Sequence, residues 1–426
     1  MNYSRIHMIG IAGVGMSGLA QLLADMGVRV TGSDISISPT LNAVEKRGIK
    51  VTIGHMENNI PEDTELVIHT DAAHDDNIER READRRGIPD MSYFRALGEV
   101  AKGKRTVAIA GTHGKTTTTG MLAAILKDAG ASPTAVVGSI MKDFSSNYLP
   151  GTSDLFVVEA CEYKDHLLEL SPEILVITNL EWDHTDYFPS LEALQDTFRK
   201  AIERIPADGA IVTDPSNPNI APLLTGAKAN VIDYTKEPSF ALRLPGEFNQ
   251  SNARAAAAAA RVVAPTLTDE KIAVSLAAFH GTWRRFEYKG KTVQGAEVYD
   301  DYAHHPTAVR LTLHALRAKA AGKLYVAFHP HLYSRTRDLL DEFAVAFIDA
   351  DRVLIAPIYA ARETDDGSIS SEILAKRIRA TGTDAVAFGS FDTIEEALAE
   401  AGPDDTIVTM GAGDIFKVAD RLVTHS

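Results

Sequence analysis

Short apolar runs alternate along most of the chain with longer stretches in which apolar positions recur at helical spacing. That alternation predicts parallel α/β units. Strands are expected at 5–10, 28–32, 66–70, 106–110, 155–159, 174–178 and 210–212, and again at 297–299, 324–328, 353–355 and 406–409. Helices are expected at 16–26, at 120–129 and over the alanine-rich stretch 253–263, whose composition favours a helix strongly. Two breaks divide the series. One is the basic, glycine-containing segment 101–105; the other is a turn at 288–291, just after Trp-Arg-Arg-Phe. The simplest division is three α/β domains, 1–101, 102–287 and 288–426, with no clear repeat and no low-complexity tail.

Composition narrows the class without naming it. A chain of 426 residues suits two or three domains. Its 45% apolar and 24% charged content is that of an ordinary globular protein with large cores. A net charge of −15 argues against non-specific nucleic-acid binding, so no nucleic-acid partner is expected. An anionic ligand must then be held by local donors. The single cysteine, Cys161, excludes an internal disulfide and a cysteine-rich zinc site. A strand pattern at the very start leaves no room for a signal peptide, and no apolar run is long enough for a bilayer. A cytoplasmic protein with no membrane partner is expected, either monomer or homodimer.

Candidate chemistry begins at residues 108–119, Ala-Ile-Ala-Gly-Thr-His-Gly-Lys-Thr-Thr-Thr-Thr, which run from an expected strand to an expected helix. Backbone N–H groups at such a turn, with a helix N-terminus behind them, form a pocket for phosphate oxygens. Lys115 can carry charge to the terminal phosphates, and Thr116 can offer an oxygen to Mg²⁺. Because position 109 is Ile, the spacing is the compressed G-T-H-G-K-T and not G-x-x-x-x-G-K-[ST].

A second glycine motif, Gly13-Val-Gly-Met-Ser-Gly18, fits G-x-G-x-x-G between a strand and a helix, with Asp34 about 20 residues on. Its physical content is a pyrophosphate on a helix N-terminus, which either NAD or a nucleotide sugar satisfies. Two further elements end strands, where catalytic groups gather in open α/β sheets: Glu159, and Glu181-Trp-Asp-His184. Glu159 suits Mg²⁺, which prefers oxygen. His184 is a softer ligand that tolerates Mn²⁺ well, or it is a solvent-facing turn residue.

These strings, taken together, resemble the Mur ligases and their folylpolyglutamate synthase relatives. The resemblance is carried by the phosphate loop, the string Gly10–Gly18, Thr-Asn-Leu-Glu-Trp-Asp-His-Thr-Asp ending at Asp186, Gly246-Glu-Phe-Asn-Gln-Ser-Asn252, Arg284-Arg285-Phe286, Asp300-Asp-Tyr-Ala-His-His-Pro-Thr307 and His329-Pro-His-Leu-Tyr-Ser-Arg-Thr-Arg-Asp338. They stand in family order over nearly the whole chain. The implied fold is an N-terminal Rossmann-like parallel sheet, a central P-loop-type ATPase domain and a C-terminal Rossmann-like domain. The implied reaction joins an amino acid to the carboxylate of UDP-N-acetylmuramate through an acyl phosphate, with release of ADP and phosphate. The string Asp300–Thr307 resembles both the alanine-adding branch and a branch that takes a tripeptide, whereas His329–Asp338 resembles the alanine-adding branch alone, so L-alanine is the expected amine.

The resemblance also implies roles. UDP-sugar would lie against Gly13, Val14, Gly15, Met16, Ser17, Ser33, Asp34 and Thr70. ATP would meet Gly111, Thr112, Gly114, Lys115, Thr116, Thr117, Arg285 and Asp301, with Asn249 and Asn252 reading adenine. An amide pairs at once with a donor and an acceptor on a base edge, although an N-cap at Asn249 or Ser251 is the plainer reading. Thr116, Glu159 and His184 would hold Mg²⁺, or Mn²⁺, with Lys115 stabilising the transferred phosphate. Tyr302, His304 and Arg335 would face the amino acid, and His304 or His305 would take its proton. Glu162 faces the substrate or is a surface carboxylate. Departures from the family are Phe248 in place of a histidine, Leu332 in place of an arginine, a short stretch from Asn230 to Gly246, and Gln195 where relatives carry a carbamoylated lysine. No such modification is expected. The rival readings are a branch that takes a tripeptide as amine, a nicotinamide oxidoreductase built on the first motif, and a binding protein without chemistry.

Overall fold

The computed structural model describes residues 3–423. Its strands form three sheets. The first holds β1 (Arg5–Ile9), β2 (Arg29–Asp34), β3 (Lys50–Ile53), β4 (Leu66–His69) and β5 (Asp90–Ser92), all parallel in the order β3-β2-β1-β4-β5. The second holds β6 (Arg105–Ala110), β7 (Thr134–Met141), β8 (Ser146–Leu149), β9 (Leu155–Glu159), β10 (Ile174–Ile177), β11 (Ala210–Thr213) and β12 (Asn230–Asp233). Its order is β12-β11-β10-β6-β9-β7-β8, parallel except for the β7–β8 pair. The third holds β13 (Glu287–Lys291), β14 (Glu297–Asp301), β15 (Leu324–Phe328), β16 (Arg352–Ile355), β17 (Asp384–Ala387) and β18 (Thr406–Met410), in the order β13-β14-β18-β15-β16-β17.

The apolar strands are buried on both faces, as parallel strands under helices must be. In β15, Val326 and Phe328 enter one core cluster while Tyr325 and Ala327 enter another. By contact the chain forms two compact units. One contains the chain up to Glu181 with Glu192–Arg243 and Gln250–Thr282, and so the first two sheets. The other contains Trp182–Leu191, Leu244–Asn249 and the chain from Trp283 on, with the third sheet. Among the described residues no helix is long and apolar enough to cross a membrane.

Three local expectations change. Residues 288–291 are not a turn: Tyr288 and Lys291 pair with Tyr299 and Glu297 in the antiparallel edge strand β13, which accommodates Gly290 by a register shift. The helix expected from 120 runs Lys115–Asp128. Threonines are poor helix formers when solvated, but Thr116–Thr119 are all buried, and Thr119 Oγ1 bonds back to the Lys115 carbonyl at 2.8 Å. The alanine-rich helix begins early, at Glu247, after Gly246 at φ +97°. Asn249 and Ser251 therefore lie inside it, and neither is its N-cap.

Candidate active site

The phosphate loop takes its shape from glycines that no other residue could replace. Gly111 has φ +125°, and a Cβ there would lie 2.3 Å from Thr178 Oγ1. Gly114, the N-cap of Lys115–Asp128, has φ +85°, and its Cβ would meet Asn252 Oδ1 at 2.3 Å. A polar frame fixes the rest. Thr178 Oγ1 and Asn179 Nδ2 donate to the His113 carbonyl at 2.7 and 2.8 Å, and His113 N donates back to Asn179 Oδ1 at 3.1 Å. Thr112 Oγ1 accepts from Glu181 N at 2.8 Å. The Thr-Asn pair that follows β10 thus holds the loop that follows β6, its neighbour in the sheet.

Lys115 points into this frame. Its Nζ donates to the carbonyls of Gly111 and Thr112 and lies 3.0 Å from Glu162 Oε1. Burial works against the charge, but the Glu162 carboxylate outweighs it and the lysine pKa is raised. Glu162 is 1% exposed, so it neither faces open solvent nor stands free for substrate: its carboxylate is the counterion of Lys115. Thr116 Oγ1 donates to Glu159 Oε1 at 3.1 Å, and Glu159 Oε2 accepts from Gly138 N at 2.8 Å. Thr117 is buried beside Thr116 in the same helical turn. Two oxygens of the kind Mg²⁺ prefers therefore meet beside the loop, so Thr116 and Glu159 fit the ion.

A pocket of about 270 Å³ opens on the other side of Glu159. Gly13, Val14, Gly15, Met16 and Thr70 line it from the first sheet, together with Asp71, Tyr93 and Phe94; Val136, Gly138, Glu159 and Cys161 line it from the second. Burial, more than the neighbouring Glu162, pushes the Cys161 thiol up to about 12, so it is protonated. Three expected UDP-sugar residues are not among those lining the pocket. Ser17 is fully buried, and its Oγ donates to Val14 O at 2.9 Å. The Ser33 hydroxyl is spent on Glu79 at 2.5 Å. Asp34 accepts from Ala12 N at 2.9 Å and Ser36 N at 3.2 Å, so it braces the glycine loop from behind. Asp71, Tyr93 and Phe94 escaped sequence reasoning because no motif marks them; they reach the pocket only through the fold.

The second unit gathers the remaining candidates. His184 follows Asp183 at φ +52°, and its N–H donates to Asp183 Oδ1 at 2.7 Å. The same oxygen accepts from Arg335 Nε at 2.7 Å, while Arg335 Nη1 meets His331 Nδ1 at 2.8 Å. Arg335 and Asp183 are 1% and 3% exposed. Burial would raise the Asp183 pKa, but Arg335 and the neighbouring histidines hold it well below the usual range. The sequence-based expectation placed Arg335 on a substrate carboxylate; its first carboxylate partner is this internal one. His304 Nδ1 lies 2.8 Å from Tyr302 O, and burial followed by the Arg335 charge keeps its ring neutral. His305 caps the helix Pro306–Arg317, its Nδ1 accepting from Thr307 N at 3.3 Å, with Nε2 3.2 Å from Trp182 O. The Tyr302 ring lies under the Arg285 guanidinium at 4.8 Å. Asp301 accepts from Phe286 N and Ala303 N, both at 2.7 Å, and burial pushes it up to about 6 despite Arg285. Asn249 is buried, with Nδ2 on Pro245 O at 2.7 Å. Asn252, in the first unit, lies against Gly114 and accepts from Thr118 Oγ1 at 3.3 Å.

Comparison with known proteins covers most of the chain. Residues 5–105 match the model of the Mur ligase family catalytic domain, 109–241 that of the Mur ligase middle domain, and 284–413 that of the Mur ligase glutamate ligase domain. UDP-N-acetylmuramate–L-alanine ligase of Acetivibrio thermocellus is 39% identical, over 99% of this chain and 96% of its own. The crystal structure of UDP-N-acetylmuramate–alanine ligase from Thermotoga maritima superposes with a TM-score of 0.80 at 27% identity, covering 98% of both chains. A murein peptide ligase from Psychrobacter arcticus gives 0.73 at 25% identity, over 99% of this chain and 100% of its own. Three domain models in order, and a relative this similar over its full length, show that the chain belongs to the Mur ligase family.

Proposed function

We infer that the protein joins L-alanine to the lactyl carboxylate of UDP-N-acetylmuramate at the expense of ATP, releasing ADP and phosphate. The observation that carries this reading is the position of Glu159. One of its oxygens touches Thr116 on the phosphate loop, and its side chain lines the pocket beneath the first glycine loop. A γ-phosphate held by the loop and a carboxylate held in the pocket would therefore meet at one place.

The chemistry follows from that meeting. A carboxylate is a poor electrophile, so its oxygen first attacks the γ-phosphorus and ADP leaves. Charge on the transferred phosphoryl oxygens is met by Lys115 and by the amides of Gly114–Thr117. Mg²⁺, held by Thr116 and Glu159 with His184 as the expected third ligand, would supply further neutralisation of the phosphates. The alanine amine then attacks the acyl phosphate, and phosphate leaves. The nitrogen becomes strongly acidic on attack, so the neutral His304 ring suffices to take its proton. His305 is less suited, because both its ring nitrogens already meet backbone groups. Arg335 keeps Nη2 for the alanine carboxylate, while Asp183 and His331 fix its other side. Asn252 acts on the nucleotide through Gly114. Asp301, with both oxygens on backbone amides, positions Arg285 and Tyr302. In this reading, residues 1–101 serve the UDP-sugar, 102–287 ATP and 288–426 the amino acid, and the substrates are those of the cytoplasm.

Asp34 counts against a nicotinamide oxidoreductase: the carboxylate that would read a ribose is turned onto Ala12 N. The acyl-phosphate route is tested by labelling the sugar carboxylate with heavy oxygen. Label must appear in the released phosphate; unlabelled phosphate alongside ligated product would rule out the route.

A further inference from the structure

Gly15 stands in the first turn of the helix Val14–Asp25, and its lack of a side chain has a specific cause. A Cβ there would lie 2.7 Å from Cζ of Tyr93, 2.9 Å from its hydroxyl oxygen and 3.0 Å from Cε1. The phenol end of Tyr93 therefore rests directly on the glycine loop. The ring is set by its place at the start of the helix Tyr93–Ala101, where Ser92 is the N-cap, and by edge contact with Phe94 at 4.7 Å. Tyr93, Gly15 and Glu159 all line the same pocket.

The hydroxyl is spare and protonated. Among the described residues no hydrogen bond to a protein group bears on it; burial and then the Glu159 carboxylate act on its proton, and both raise its pKa. Beside it, the first-turn amides of Val14, Gly15 and Met16 have no acceptor within their own helix. Val14, Gly15, Met16 and Tyr93 all line the pocket, with the phenol against Gly15, so three N–H groups and one O–H stand there together as donors. An anion with several oxygens is the ligand that uses them together.

We propose that Tyr93 is a positioning residue whose hydroxyl donates to the diphosphate of the UDP-sugar, closing the cradle formed by the amides of Val14–Met16. The proposal rests on the reading of this pocket as the UDP-sugar site. It explains why Gly15 must be glycine: a methyl group would push the phenol off the loop. It also gives Tyr93 a part in aiming the substrate, since a sugar tethered here by its diphosphate keeps its carboxylate in the pocket that Glu159 also lines.

The test compares Tyr93→Phe with the wild-type chain, using UDP and uridine as probes in calorimetric titration. The variant keeps the ring and removes only the donor. UDP affinity should fall about tenfold, the worth of one hydrogen bond to a charged oxygen, while uridine affinity holds. In turnover, KM for UDP-N-acetylmuramate should rise by a similar factor while kcat falls by less. The UDP-to-uridine ratio within each protein separates a lost donor from a folding defect, which would weaken both. An unchanged ratio overturns the proposal. So does an unchanged UDP affinity with weaker UDP-N-acetylmuramate binding, which would move the hydroxyl to the sugar or the carboxylate. A wild-type chain that binds UDP but makes no product with alanine would defeat the ligase reading, yet the UDP comparison would still decide the role of Tyr93.

Discussion

Lys115 Nζ lies 3.0 Å from Glu162 Oε1, so the cation expected to meet the γ-phosphate has an internal carboxylate as its partner. ATP must compete with Glu162 for this charge. Glu162→Gln leaves the buried lysine without its counterion and should cost about 1–3 kcal/mol in the nucleotide-free protein. The triphosphate then replaces what was lost, so ATP should raise the melting temperature of the variant more than that of the wild-type chain. Equal shifts would show that Glu162 and the nucleotide do not share Lys115.

Lys115→Ala removes the charge but leaves the loop backbone. Turnover should fall by at least about 10²–10³-fold, the effect of deleting one preorganised donor to a transition-state charge. UDP binding, measured by titration, should hold, because Lys115 is not among the residues lining the pocket. Retained turnover would show that the loop is not the phosphoryl-transfer site.

Much of this was legible in the sequence, and the parts that were not share a physical cause. Strands at 155–159 and 324–328 were read to the residue because both faces of a parallel strand are apolar. Glycine loops with a fixed residue order could be read directly, and so could Glu159 at a strand end. The start of the helix at Lys115 could not, because four threonines are helical only through burial and back-bonding. Ser17 and Ser33 fell in the right segments, but their side chains turn inward to partners that spacing cannot show. Tyr93 is the sharpest case: it meets Gly15 across a long stretch of chain, and no motif links them.

Glu79 supplies a pH test of the first sheet. Its fully buried carboxylate accepts from Ser33 Oγ, Asn59 Nδ2 and Met56 N, and it lies 3.2 Å from His7 Nε2. Burial raises its pKa, but His7, Ser33 and Asn59 outweigh that and bring it from 4.5 to about 2. A depressed carboxyl contributes stability above its ordinary value and loses it as pH falls toward the folded one. The contribution is about 3 kcal/mol, present above pH 4.5 and gone near pH 2. Urea unfolding across that window should show the loss in the wild-type chain and a flatter profile in Glu79→Gln. Parallel profiles would contradict the assignment.

Asp183→Asn tests the pairing in the second unit. It strands the Arg335 charge in a site where both partners are almost fully buried. The expected cost is about 3–5 kcal/mol in chemical denaturation, with a loss of turnover because Arg335 and His184 are both held by Asp183. A change below about 1 kcal/mol would mean that the pair is open to solvent.

The most direct measurement is phosphate release from ATP and Mg²⁺ in the presence of UDP-N-acetylmuramate, with and without L-alanine. The account predicts release that requires both the sugar nucleotide and alanine, with alanine joined to the product. Release with a tripeptide in place of alanine, and none with alanine, would contradict it.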